Sequence, residues 1–102
     1  MNSSTDISAQ GLPESPELER AVLGALILEP AYLPDVRSLL TGETFADAMN
    51  RRIYETILSL DDRGKSVDLA SVASALRTST GKEPRVPSAY LVGLSNNVGT
   101  GV

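Results

Sequence analysis

Apolar residues fill the segment 21–28 with a single break at Gly24, and the rest of the chain is patterned to cover that segment. Just upstream, Ser15 has the hydroxyl of a good helix N-cap, and Pro16 suits the first helical position, where a missing N–H costs nothing. Glu17 and Glu19 place negative charge at the positive end of the helix dipole. At 100° per residue, Leu18, Val22, Ala25 and Leu26 share one face of this helix, while Leu23 and Ile27 lie on another. A helix apolar on more than one face is packed on more than one side, so 15–28 reads as the central, buried helix. Gly24 leaves room there for a close neighbour. Pro30 closes the helix by disfavouring helical backbone at Glu29.

Four further helices follow from spacing. A short one runs from residue 33 or 34 to 40, with Val36, Leu39 and Leu40 set to face the first helix. Thr41-Gly42 ends it, Gly42 being free to take a left-handed conformation. Phe45, the single Phe, anchors the start of a long helix capped by Asp47 and running to about residue 63, with Gly64 past its end. Met49, Ile53, Ile57 and Leu60 form its apolar stripe, widened by Tyr54 and Leu58. Arg51, Arg52, Glu55, Ser59 and Asp62 occupy the opposite face, where Arg51 and Glu55 are spaced for an ion pair. Asp68 caps a fourth helix whose Leu69, Val72, Ala73 and Leu76 repeat at i, i+3, i+4 and i+7. Residues 78–87 are turn chemistry. A fifth helix starts near Ser88, carries Tyr90, Leu91 and Leu94 inward, and frays at Asn96-Asn97. No stretch alternates long enough to make a strand. The expected fold is all-α, a compact bundle of about five helices around a central buried one. Residues 1–12 read as a disordered arm.

Composition narrows the function. With 102 residues the chain is one small domain, and with one Phe, three Tyr and no Trp its core rests on Leu, Ile, Val and Ala. The absence of both His and Cys removes His- or Cys-ligated zinc, Ser-His-Asp triads and Cys nucleophiles. It also removes any disulfide framework, which fits a cytoplasmic location. The net charge of −4 disfavours phosphate backbone as the main partner. No apolar run is long enough to span a bilayer, and no membrane partner is expected. Gly64-Lys65-Ser66 resembles the end of a phosphate-binding loop, but Ser59 stands where that loop needs Gly, and a helix precedes it rather than a strand. Asp61, Asp62 and Asp68 lack the ligand alternation of a calcium loop and read as a helix end and a cap. No metal, cofactor or catalytic residue is therefore expected.

Taken together, certain residues carry a resemblance. Pro13-Glu14-Ser15, Leu18-Glu19 and Val22-Leu23-Gly24 are followed by Phe45, Arg51 and Ile53-Tyr54. Then come Gly64 with Val67-Asp68-Leu69, and Ala89-Tyr90-Leu91 with Leu94 and Val98. In this order and spacing, over residues 13–98, the chain resembles the N-terminal domain of DnaB-type replicative DNA helicases. The resemblance implies a helical collar domain at 13–98 that packs with copies of itself in a hexameric ring and takes part in recruiting a DnaG-type primase. ATP hydrolysis, strand separation and contact with DNA would belong to a separate motor domain, in a bacterial or phage-infected cell. Two departures stand out. Gly99 replaces a Pro frequent in the family, and residues 99–102 read as a truncated linker to a helical hairpin that carries much of the pairing and primase contact. The interface candidates on this reading are Tyr90, Leu91, Arg51 and Arg52. The alternative is a free-standing helical adaptor or helicase-loader-like protein of a phage or mobile element.

Overall fold

The computed structural model describes residues 15–79, 81 and 83–99. The arm at 1–12 lies outside the described residues, as do residues 100–102. Among the described residues there are five α-helices and no strand: α1 (Pro16–Leu28), α2 (Leu33–Leu39), α3 (Ala48–Asp62), α4 (Leu69–Thr78) and α5 (Ser88–Gly99). Single 3-10 turns, Pro30–Tyr32 and Gly42–Thr44, join α1 to α2 and α2 to α3. The fold is the expected all-α bundle.

The three local caps form as their residue types dictate. Ser15 Oγ accepts from the Leu18 N–H at 3.2 Å, an Asp47 carboxylate oxygen from Asn50 N–H at 3.0 Å, and an Asp68 carboxylate oxygen from Ser71 N–H at 2.8 Å. Arg63 closes α3, and Gly64 behind it takes φ +70°, a left-handed backbone that favours glycine.

Helix α1 packs most extensively against α5 and also against α3. Its buried residues are Glu19, Leu23, Gly24, Leu26 and Ile27. The expected face is therefore turned by one position. Leu18 is 38% exposed and Val22 only partly buried, while Glu19 is fully buried in register with Leu23, Leu26 and Ile27. The shift is possible because the Glu19 carboxylate finds donors inside the bundle. In α3, Ile53, Tyr54, Ile57 and Leu60 are buried, and Asn50 rather than Met49 completes the stripe. The Tyr54 ring lies 4.7 Å from that of Phe45, and its hydroxyl donates to the Leu40 carbonyl at 2.9 Å. A buried phenol is thus satisfied at both its apolar and its polar end. Val72 and Leu76 of α4 and Leu91 and Leu94 of α5 close the core.

Three expectations for the connecting segments need correction. Leu39 is 79% exposed, because α2 ends there and Leu40 leaves in an extended conformation (φ −123°, ψ 142°), so Leu33 and Val36 provide the packing instead. Gly42 is not left-handed. It opens a 3-10 turn on which the Glu55 side chain lies, and a Cβ at Gly42 would stand 2.8 Å from Glu55 Oε2. Nor does α5 end at Asn96-Asn97; the helix continues to Gly99.

Candidate functional site

Three helices meet at a polar junction. The Glu19 carboxylate, wholly buried, accepts from the Ala46 N–H (2.8 Å) through Oε2, and from the Asp47 N–H (3.2 Å) and Asn50 Nδ2 (3.0 Å) through Oε1. Asn50 Nδ2 also lies 3.4 Å from the Pro16 carbonyl, and Asn50 Oδ1 accepts from the Tyr90 hydroxyl. A carboxylate from α1 thereby caps the start of α3, and an amide from α3 holds the hydroxyl of α5. Negative charge beside the first N–H groups of a helix is favourable on two counts, hydrogen bonding and dipole. Burial pushes the Tyr90 hydroxyl above its ordinary pKa, and a hydrogen bond with Arg20 opposes that rise.

Tyr90 is half-buried at this junction, whereas Leu91, on the next position of α5, is 2% exposed and belongs to the core. Arg51 and Arg52 lie on α3 and turn away from each other. Arg51 donates through Nε (3.2 Å) and Nη2 (3.1 Å) to the Phe45 carbonyl, so the expected pair with Glu55 gives way to a main-chain contact. Arg52 reaches across to the segment following α4. It donates to the Pro84 carbonyl (2.8 Å), the Ser79 carbonyl (3.0 Å) and Ser79 Oγ (2.7 Å). The four candidates thus do not form one surface. Arg52 and Leu91 line a common groove, while Tyr90 joins α3 through Asn50.

Sequence reasoning missed Glu19 and Asn50. A signal existed: each stands in helical register with a buried apolar stripe, Glu19 four residues before Leu23 and Asn50 three before Ile53. A polar residue on such a stripe needs a partner inside the fold.

The phosphate-loop look-alike is spent on helix termination. The Gly64 N–H donates to the Asp61 carbonyl at 3.0 Å and the Lys65 N–H to the Leu60 carbonyl at 2.9 Å, so these amides do not point at a ligand. Asp61 and Asp62 each receive an Arg37 contact at 2.8 Å, which ties α2 to the end of α3, and Asp68 is the cap of α4. Among the described residues no group of three or more acidic side chains could hold a metal ion. No helix among them is long and apolar enough to cross a membrane.

Half-exposed Val92 continues α5 beside Tyr90, and among the described residues Leu18, Leu28, Tyr32 and Leu39 are the other large apolar side chains at the surface. The DnaB-like helicase N terminal domain family matches residues 11–102. This chain belongs to that family. A replicative DNA helicase DnaB from Geobacillus stearothermophilus is 39% identical over 88 residues, 86% of this chain and 19% of that protein. A replicative DNA helicase DnaB from Rhodothermus marinus is 37% identical over 86 residues, 84% of this chain and 9% of that protein. A replicative DNA helicase DnaC from Bacillus subtilis strain 168 is 36% identical over 88 residues. This DnaB-like N-terminal domain spans a fifth or less of the length of these relatives.

Proposed function

We propose that this DnaB-like N-terminal domain is the assembly and docking module of a replicative DNA helicase in the cytoplasm. Copies of the domain pack together in a hexameric ring and receive a DnaG-type primase. ATP hydrolysis and contact with DNA belong to a motor domain elsewhere in the helicase. The observation that carries this reading is the family match over residues 11–102, together with replicative helicases of several bacteria as relatives. The junction chemistry agrees with it: Glu19, Asn50 and Tyr90 are used to join helices, leaving their donors and acceptors engaged within the fold.

The contact region is the outer side of α5 around Tyr90 and Val92, a half-buried tyrosine beside a half-exposed valine. Tyr offers apolar area with one polar handle, a combination favoured at protein interfaces. The test compares sedimentation of this chain with that of a chain extended through the following segment, each with and without the cognate primase. The short chain should be monomeric or weakly dimeric; the extended one should pair stably and retain primase. Val92→Asp should lower primase retention at least tenfold without shifting the thermal midpoint. An extended chain that stays monomeric and ignores primase overturns the reading.

A further inference from the structure

Charge on this molecule is unevenly placed. Two grooves, of about 340 and 540 Å3, flank the segment that Arg52 holds, and they share Arg52, Ser79 and Glu83. Arg51 and Arg63 line the first, Arg77 and Arg85 the second. Among the described residues these grooves are lined by five Arg and two Glu, a local excess of three positive charges in a chain of net charge −4. The guanidiniums of Arg51 and Arg63 are steadied by main-chain carbonyls, of Phe45 and of Ser59 (3.3 Å), which satisfy N–H groups without cancelling charge. Fixed, charged, planar donors are suited to carboxylates, and holding them in place beforehand lowers the cost of binding.

We propose that these joined grooves bind an acidic peptide segment of a partner protein. Arg51 on α3 and Arg63 at its C-cap stand twelve residues apart, a separation of about 18 Å along the helix axis, which an extended peptide of about six residues covers. Ala48, Ala75, Pro84 and Val86 supply apolar lining between the charges, suited to side-chain methylenes. Nucleic acid fits less well. No aromatic residue among the described lining can stack a base, and Glu55 and Glu83 interrupt the positive row that a phosphate backbone would follow. The proposal does not depend on ring assembly or primase docking at α5, and it fails separately from them.

Fluorescence anisotropy of a fluorescein-labelled eight-residue peptide alternating Glu and Gly tests it on the 102-residue chain. Saturable binding at 50 mM salt should weaken at least tenfold at 300 mM. Arg63→Gln combined with Arg77→Gln should weaken it at least tenfold, while Lys65→Glu, the same change of two charge units outside both grooves, should stay within twofold. Amide chemical-shift changes during the titration should centre on Arg51, Ser59, Arg63, Ser79 and Arg85, a readout independent of any variant's folding. Absence of saturable binding, an unaffected double variant, or shifts centred elsewhere overturns the proposal. Tighter binding of a fifteen-nucleotide oligo-dT, lost in the same double variant, overturns it in favour of nucleic acid. Sedimentation that shows the chain pairing with itself, with pairing lost in the same double variant, overturns it in favour of a second copy of the chain.

Discussion

Glu19 is the residue on which three helices converge, and its partners explain why a carboxylate is retained where apolar side chains surround it. Two backbone N–H groups and one amide depend on it as acceptor. Glu19→Ala would leave the Ala46 and Asp47 N–H groups without this acceptor and Asn50 Nδ2 with the Pro16 carbonyl alone; at about 1–3 kcal/mol for each orphaned N–H, urea denaturation should show a loss of about 2 kcal/mol or more. Glu19→Gln keeps the shape but turns one acceptor into a donor facing another donor, and it should fall between the two. A Glu19→Ala chain within about 1 kcal/mol of the parent would show that the network contributes little. At this scale the sequence is legible where the partner is close along the chain. Ser15, Asp47 and Asp68 cap residues three positions on, so type and context are sufficient. Glu19 meets residues 27 to 31 positions away, and nothing local records that distance.

Among the elements, every helix was legible and two ends were not. Spacing located α1, α3 and α4 because each carries a stripe long enough to define a face. α2 has seven residues, too few for the 39/40 positions to be assigned to a face, and Leu39 fell outside. The family resemblance depends on the order of core and cap residues, which the helices preserve; of the interface candidates, Leu91 is buried in the core and Arg52 reaches the loop after α4, contacts that helical spacing does not record. That tie makes its own prediction. Arg52→Gln removes the contacts to Ser79 and Pro84 and should cost about 1.5–3 kcal/mol, the range for bonds to a charged group. Hydrogen exchange should quicken in residues 79–87 and not in α1. Unchanged protection across that segment would show that Arg52 does not hold it.

Over the whole molecule, burial raises the hydroxyls of Tyr54 and Tyr90 above the ordinary value near 10. The folded state then keeps these protons to higher pH than the unfolded chain does. Their contribution to stability is complete below about pH 10 and declines as pH rises beyond it. With no His or Cys in the sequence, the side chains that ordinarily titrate near neutrality are absent. Denaturation midpoints should hold steady from pH 7 to 9 and fall between pH 10 and 11.5, less steeply in Tyr54→Phe; a Tyr54→Phe chain with the parent's slope would exclude this cause. The pairing of α1 with α5 has another consequence, one of timing. Helix α1 is made before α5, the helix it packs against most extensively, with residues 29–87 still to be made between them. At bacterial-scale synthesis rates of about 5–20 residues per second, Leu23, Leu26 and Ile27 wait roughly 3–12 seconds for their cover. During that interval the face of α1 that α5 covers stays open on the nascent chain, with only the earlier-made α3 to pack against it.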